Sequence, residues 1–401
     1  MSSAAAPEAR IEPEEPAPVE AAGWSSLAAL VCGHFAVDSC TGIFPVFKTI
    51  AHLDIARAGL IATAGAMAGN ALQIGFGLLA DRGWRRRLLI AGPLLAGAVT
   101  FAPWVGSYPA LFGLVLATYV GSAAFHPAGA GAAAMLSRRQ TGLMVGLFMA
   151  GGYAGFALSQ VVFSNIYQRA PRLTAVLVLI PIVSALATAR LVPRIAPVPR
   201  SRGETWRVLR QNLPTLARLF VLQVLTTGLN LGVVFLLPDL LQARSAPAWM
   251  VQGGGHFALV AGGCLSLLPA GHASDRWGAR RAILVANTAT GVVLAALLLR
   301  ETASPVDLAL VMAFGAFNGI NNVVAVSAGN RLLPAQAGAA SALLMGMPWC
   351  LAAVAPVVGG ALADPARGGS PAVALGWLGF AVPLALASGV MVRSRRASAP
   401  V

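Results

Sequence analysis

Charged side chains are scarce in this sequence. Aspartate, glutamate, lysine and arginine together make up only 10% of the 401 residues, whereas hydrophobic residues make up 57%. A soluble globular protein needs more polar surface than this composition supplies, so a soluble fold is excluded. The 44 glycines are distributed through apolar runs, which is typical of transmembrane helices.

Lysine is almost absent, because 27 of the 28 basic residues are arginine and Lys48 is the exception. The net charge of +14 would suggest nucleic-acid binding in a soluble chain. Here most arginines stand between apolar runs of about 20 residues, where basic side chains fix membrane orientation. The charge therefore indicates topology, and we expect a lipid-bilayer environment and no nucleic-acid partner.

Motifs for cofactors, metals and nucleotides are also missing. The four cysteines, Cys32, Cys40, Cys264 and Cys350, lie inside apolar runs without the paired spacing of a zinc or redox site. The phosphate-binding pattern G-x-x-x-x-G-K-[ST] does not occur, which excludes direct use of ATP through that loop. We expect no cofactor, no metal site and no enzymatic activity.

Twelve apolar runs recur along the chain, each near the length of about 20 residues that crosses a bilayer as a helix. They predict an all-α polytopic membrane protein with twelve transmembrane helices. The runs cover residues 24–48, 57–80, 88–106, 109–136, 141–163, 173–192, 216–241, 249–272, 282–300, 307–332, 339–362 and 371–392.

Arginine is concentrated in alternate connections between these runs. An even number of spans places both termini on one side, and the positive-inside rule predicts that this side is the cytoplasm. The arginine-rich connections are residues 82–87, 138–139, 193–215, 276–281 and 393–396.

The sequence divides into two similar halves. Residues 1–23, rich in alanine, proline and glutamate, predict a disordered cytoplasmic tail, and 393–401 a basic cytoplasmic tail. A longer polar linker, 193–215, separates an N-terminal six-helix bundle (24–192) from a C-terminal one (216–392). Parallel six-helix repeats are a known transporter architecture.

Two loops with the pattern G-x-x-x-D-R carry a family resemblance. Gly77, Asp81 and Arg82 form it in the first half, and it returns as Gly271, Asp275 and Arg276 in the second. These loops resemble the signature of the major facilitator superfamily.

Shorter motifs are similar to the fosmidomycin-resistance branch of bacterial exporters. They are the runs 34–38, 121–127, 151–156 and 331–334. The resemblance implies a monomeric transporter in the bacterial inner membrane that works by alternating access, with helices 1, 4, 7 and 10 around a central cavity.

Asp38 is the strongest candidate for proton exchange. It is the one acid well inside a span, and ionisable groups within a membrane are functional candidates by default. His34 shares its helical face four residues away, and His126 on the fourth span lies at a similar depth, about 15 Å from the inner face. Two other interpretations stay open: Asp38 as a structural polar group, and His126 with Pro127 as the mark of a helix kink.

The spans seven and ten carry neutral polar groups instead of acids. These groups and one tyrosine of span four are the candidate solute contacts. Pairing of amides between helices is the alternative role. The candidates are Tyr119, Gln223, Thr226, Asn230, Asn318, Asn321 and Asn322.

The two G-x-x-x-D-R loops are the candidate conformational latch, as the resemblance implies. The alternative for Asp81 and Asp275 is a plain charge at a helix end.

Together these features predict a secondary active transporter, most consistent with a proton-coupled exporter of a small drug-like or metabolic solute. A metabolite importer of the same fold is the alternative. A second alternative is a membrane sensor or scaffold that no longer transports. It stays open because Ser159-Gln160 replaces the Gly-Pro pair of antiporters and Ala128 replaces a glutamate common in the branch.

Overall fold

The computed structural model describes residues 22–136, 141–193, 210–332 and 342–392. The structure is helical throughout these ranges, and no β-strand occurs in them. Almost all of the predicted tail 1–23, most of the linker 193–215 and the basic tail 393–401 lie outside the described residues, so those predictions stand as made.

The N-terminal half consists of six helices that cross the molecule in alternating directions. We number them α1 to α6. They are α1 (Ala22–Thr41 and Ile43–Ile50), α2 (Ile55–Leu79), α3 (Arg85–Ala96 with the 3₁₀ turns Gly97–Trp104), α4 (Tyr108–Met135), α5 (Thr141–Arg169) and α6 (the 3₁₀ turns Pro171–Val178 with Leu179–Leu191).

The C-terminal half repeats this arrangement with six more helices. They are α7 (Leu213–Ala243), α8 (the π-helical turn Met250–Gly254 with Gly255–Trp277), α9 (Ala279–Leu298), α10 (Pro305–Leu332), α11 (the π-helical turn Ala342–Gly346 with Met347–Ala352 and Ala355–Ala363) and α12 (Pro371–Leu378 with Ala381–Val390).

By length and apolar composition, nine helical segments among the described residues can cross a membrane. One of them, Ile55–Trp104, contains both α2 and α3. The segment Met347–Ala363 of α11 is apolar but shorter. The predicted all-α polytopic membrane fold is confirmed.

Helix packing shows the internal repeat directly. In the first half α4 packs on α2 and α3, and α1 packs on α5 and α6; in the second half α10 packs on α8 and α9, and α7 packs on α11 and α12. Each neighbouring pair therefore recurs six helices later, as the repeated loops predict.

Capping side chains mark where several helices begin. The side chain of Asp54 accepts a hydrogen bond from the backbone N–H of Arg57 at 2.7 Å, and Ser107 and Ser370 cap α4 and α12 in the same way. Such N-caps stabilise a helix by about 1 kcal/mol. In the two repeated loops, Gly83 (φ 95°) and Gly278 (φ 80°) adopt positive φ, a conformation that glycine reaches without steric cost.

The two bundles meet along α2 and α11, α5 and α8, and α1 and α7. We call the side where α1 begins and α12 ends the termini face, and the opposite side the far face. Near the far face, a Cβ at Gly360 would lie 2.6 Å from the carbonyl oxygen of Ile55, and one at Gly59 would meet the carbonyl oxygen of Pro356. The Thr63 hydroxyl accepts a hydrogen bond from the N–H of Val357 at 3.0 Å. We call this backbone contact the α2–α11 seam.

The described contacts make the far face the closed side of the molecule. Across α5 and α8, His256 Nε2 donates to the carbonyl oxygen of Phe156 at 2.7 Å. At the termini face, Arg82, Trp84, Arg276 and Trp277 are exposed.

Candidate ion and solute site

His34, Asp38 and His126 converge in the N-terminal bundle. His34 Nε2 lies 3.3 Å from Asp38 Oδ2, and His126 Nε2 lies 3.3 Å from Asp38 Oδ1. The two Nε2 atoms are 3.2 Å apart. The structure thus brings the three predicted proton-coupling residues into one group, which we call the His-Asp-His cluster.

Backbone carbonyl groups fix the tautomer of both histidines. His34 Nδ1 lies 2.8 Å from the carbonyl oxygen of Phe148, and His126 Nδ1 lies 2.8 Å from that of Ser122. A carbonyl oxygen only accepts, so a hydrogen bond to it requires the proton of the neutral ring on Nδ1. The Ser122 hydroxyl also lies 3.1 Å from His126 Nδ1. Each Nε2 then presents a lone pair toward the Asp38 carboxylate. The cluster is a convergence of hydrogen-bond acceptors when both rings are neutral.

Close packing holds His34 in place. Its ring stacks on Phe148 with centroids 4.2 Å apart, and the side chain is buried. A Cβ at Gly152 of α5 would lie 2.7 Å from Asp38 Oδ2 and closer still to His34 Nε2. Glycine at position 152 is therefore what lets α5 approach the cluster.

The other side of the cluster is accessible. The side chains of Asp38 and His126 are 20% and 29% exposed, against 2% for His34. The cluster therefore packs against apolar side chains on the His34 side and is accessible on the side of Asp38 and His126. A small ion or proton can enter and leave from the accessible side.

Amide side chains of α7 and α10 form a second polar group. Gln223 Nε2 donates to Asn322 Oδ1 at 3.3 Å and to the carbonyl oxygen of Leu344 at 3.0 Å. Asn318 Nδ2 donates to the carbonyl oxygen of Thr226 at 3.2 Å. Gln223 Oε1 and Asn318 Oδ1 are buried and have no hydrogen-bond partner among the described protein atoms. They are buried acceptors that no described donor satisfies.

The remaining candidate solute contacts differ in their surroundings. Asn321 is fully buried and its Oδ1 accepts from Asn287 Nδ2 of α9 at 2.7 Å, which is the interhelical amide pairing considered above. Tyr119 is half-buried and packs against Gly65 of α2. Asn230 is also half-buried.

The predicted latch is described for one repeat. Asp81 Oδ1 forms a 3.1 Å ion pair with Arg85, whose Nη1 donates to the carbonyl oxygen of Ala128 in α4 at 3.2 Å. Gly77 faces Pro127, also of α4. In the second repeat, the side chain of Asp275 and the surroundings of Gly271 lie outside what the structure describes.

An ion pair between the bundles was missed by the sequence reasoning. Lys48 at the far-face end of α1 pairs with Asp239 of α7. The Thr49 hydroxyl donates to Asp239 Oδ1 at 2.9 Å, and the lysine Nζ lies 4.5 Å from the ring centroid of Phe235. Lys48 is 1% exposed. Lys48 is the one lysine of the chain, and this could have marked it as a candidate for a specific ion pair.

Two further buried polar residues lie where α5 meets α8. Both amide atoms of Gln160 are buried without a hydrogen-bond partner among the described protein atoms, and so is His256 Nδ1. The backbone of Gln160 packs against Gly253, which adopts φ 136°.

The sequence matches the family profile described as the Major Facilitator Superfamily over residues 27–264. Comparison with curated proteins gives no significant match.

Solved structures resemble the whole chain. A mutant of the nucleoside transporter NupG is 16% identical, with a TM-score of 0.75, covering 92% of this chain and 99% of that one. A bacterial homologue of the human lysosomal transporter Spinster, in an inward-facing and unoccupied conformation, is 16% identical with a TM-score of 0.66, covering 93% of this chain and 95% of that one. At these identities the likeness shows the fold.

The family profile covers more than half of the chain, and the fold of the structural relatives agrees with it. This multi-pass membrane protein therefore belongs to the Major Facilitator Superfamily of secondary transporters and is not an enzyme.

Proposed function

We propose that this protein exports a small drug-like or metabolic solute in exchange for protons. The observation that carries the proposal is the His-Asp-His cluster. Two Nε2 lone pairs and a carboxylate within 3.3 Å of one another repel each other unless hydrogen lies between them. A proton on either Nε2 converts this repulsion into a charge-assisted hydrogen bond to Asp38.

Proton loading would change the charge that faces the accessible side of the cluster. Asp38 and His126 are partly exposed there, so a proton reaches them without crossing the apolar wall of Phe148. An empty cluster presents a net negative charge, whereas a loaded one is neutral or positive. That change biases the two access states only if the solute or the surrounding protein interacts differently with each charge.

The amides of α7 and α10 supply the solute contacts in this proposal. Gln223 and Asn318 each offer a buried carbonyl oxygen without a described partner. Asn322, which accepts from Gln223, and Asn230 are half-buried on the same helices. Such groups favour a small polar solute that donates hydrogen bonds. Export as the direction rests on the resemblance of the motifs at 34–38 and 121–127 to bacterial drug exporters.

Alternating access follows from the two faces. We place the chain in the bacterial inner membrane with both termini in the cytoplasm, as the arginine distribution predicts, so the closed far face is the outer side. The Lys48–Asp239 pair and the α5–α8 contact of His256 with Phe156 close that side, and the Asp81 loop serves as the latch of the inner side. The described conformation is then the inward-open state.

Transport into proteoliposomes with an imposed pH gradient tests the proposal. A panel of small polar and drug-like solutes is screened with the wild-type chain, and Asp38→Asn is compared with it. Asp38→Asn keeps the size of the side chain but removes its charge, so it should abolish gradient-driven accumulation. His34→Ala should weaken coupling less, because a water molecule can replace the imidazole.

Asp364→Asn is the matched control, because Asp364 caps a 3₁₀ turn in a loop of the far face and asparagine caps equally well. Asp38→Asn liposomes that concentrate solute at the wild-type rate and with the same pH dependence would refute proton coupling at this cluster. Equal accumulation with and without the gradient in the wild type would refute coupling altogether.

A further inference from the structure

The His-Asp-His cluster has a ligand set that the proton proposal does not need. Two imidazoles and one carboxylate are the donor groups of a divalent transition-metal site. One ligand atom from each of His34, Asp38 and His126 can be chosen so that all three lie within 4.8 Å of one another. The sequence predicts no metal site because its cysteines lack the paired spacing of metal ligands. Cysteine spacing does not reveal a site that histidines and an aspartate on two helices form together.

The distances fit tetrahedral coordination. Bonds of about 2.0–2.1 Å from zinc to nitrogen or oxygen place neighbouring ligands of a tetrahedron about 3.3–3.4 Å apart. The cluster has 3.2 Å between the two Nε2 atoms and 3.3 Å from each to an Asp38 oxygen. Because the two histidines contact different oxygens of Asp38, a small rotation of the carboxylate brings one oxygen to both.

The surroundings are those of metal-bound histidines. In metal sites the second ring nitrogen usually donates to a carbonyl or carboxylate, which orients the ring and leaves the other nitrogen as a lone-pair ligand. The carbonyl groups of Phe148 and Ser122 have this role here. This outer layer is independent of the cluster itself and indicates that both Nε2 atoms are held as acceptors.

Space and charge agree with a bound cation. Glycine at 152 lets α5 pack directly on His34 Nε2 and Asp38 Oδ2, where a Cβ would collide with both atoms. Among the described residues, Asp38 pairs with His34 and His126 and with no arginine or lysine, so no basic side chain neutralises its negative charge. The partly exposed front leaves a fourth coordination position open.

We infer that His34 Nε2, His126 Nε2 and a carboxylate oxygen of Asp38 bind a divalent transition-metal ion of the zinc type, with water or a solute group as fourth ligand. The ion and the protons of the proposed function occupy the same acceptors, so they compete. The inference concerns binding and holds whether or not the chain transports solute.

Titration of Zn²⁺ into the purified full chain tests this site, with the affinity tag removed and the protein in detergent micelles. Calorimetry should give one site per chain, and Co²⁺ in place of Zn²⁺ should give the intense visible absorption of tetrahedral coordination. Loss of an outer-layer partner alone costs about 10–100-fold in affinity, so Asp38→Asn and His126→Gln should each cost about a hundredfold or more.

His256→Gln and His272→Gln are matched controls, one buried and one exposed histidine outside the cluster, and both should bind as the wild type. Gly152→Ala leaves all three ligands in the chain, but its methyl group would collide with His34 Nε2 and Asp38 Oδ2 and displace them, so it should also weaken binding. This variant keeps the test decisive if a ligand substitution fails to fold.

Absence of binding at millimolar Zn²⁺, or an affinity unchanged by Asp38→Asn and His126→Gln, would overturn the inference. If the chain binds no zinc but still transports solute along a pH gradient in the presence of a chelator, the metal site is refuted and proton coupling stands. If the chain binds zinc but shows no gradient-driven transport, proton coupling is refuted and the metal site stands.

Discussion

The Lys48–Asp239 pair should control which face of the protein is open. Lys48 is 1% exposed, and it contacts Asp239, Thr49 and the ring of Phe235. Asp239→Asn keeps the shape of the partner but leaves the ammonium without a counter-charge. Removing one member of a buried pair costs about 3–5 kcal/mol.

That cost applies only while the far face is closed. When α1 and α7 separate, water solvates Lys48 in both the wild type and the variant. The variant therefore shifts the equilibrium toward the far-face-open state by roughly 10²–10³-fold or more, since each 1.4 kcal/mol is a factor of about ten. The observed change saturates once the open state is the major one.

Labelling of a cysteine placed at the contact between α5 and α8 measures this shift. Val161→Cys, in a chain whose four native cysteines are replaced, puts a thiol where α5 packs on Gly253 of α8. A membrane-impermeant maleimide applied from the far face should react much faster with the Asp239→Asn variant. The double variant Lys48→Met/Asp239→Leu should react near the wild-type rate, because apolar groups replace a buried pair at little cost.

A labelling rate that Asp239→Asn leaves unchanged, in protein that is still folded and monodisperse, would show that the pair does not hold the far face shut. A double variant as reactive as the single one would show that the charge imbalance is not the cause.

The remaining predictions concern the latch, the amide pair and the topology. Asp81→Asn removes the charge that the proposed latch uses to close the termini face and should shift accessibility toward the termini-face-open state, which labelling from each side would show; lost expression with unchanged accessibility would mean a structural role. Asn321→Leu should lower the free energy of unfolding by about 0.6–1.7 kcal/mol, measured by thermal stability in detergent, with solute affinity unchanged; a larger loss of affinity than of stability would make Asn321 a solute contact. A reporter active only outside the cytoplasm should work when fused at Ser107 and fail at the C-terminus, and the reverse would defeat the proposed orientation.

The sequence predicted the helical architecture well because lipid imposes simple rules. Apolar length set the number of spans, and the repeated loops at Asp81 and Asp275 set the symmetry that the packing of α4 and α10 displays. Depth placed His34 and His126 at one level, since both lie about ten residues from the same face, and the structure brings them together.

Other features depend on which helices adjoin, and apolar periodicity does not contain that information. The Lys48–Asp239 pair joins residues 191 positions apart and exists only where the bundles meet. Asn321 and Asn322 are adjacent in sequence, yet one pairs with Asn287 of α9 and the other with Gln223 of α7. An α-helix that is apolar all round gives no sign of which neighbour each amide faces. The role of Gly152 emerges only from the close approach of α5 to α1.

The α2–α11 seam has a mechanical consequence. At Gly59 and Gly360, backbone meets backbone with no side chain between them to repack, so this contact is a natural fulcrum between the bundles. From Gly59 to the termini-face end of α2 at Leu79 the helix is a lever of about 30 Å. A rotation of about 10° at the seam then carries that end through about 5 Å, enough to open a passage for a small solute while the fulcrum itself scarcely moves.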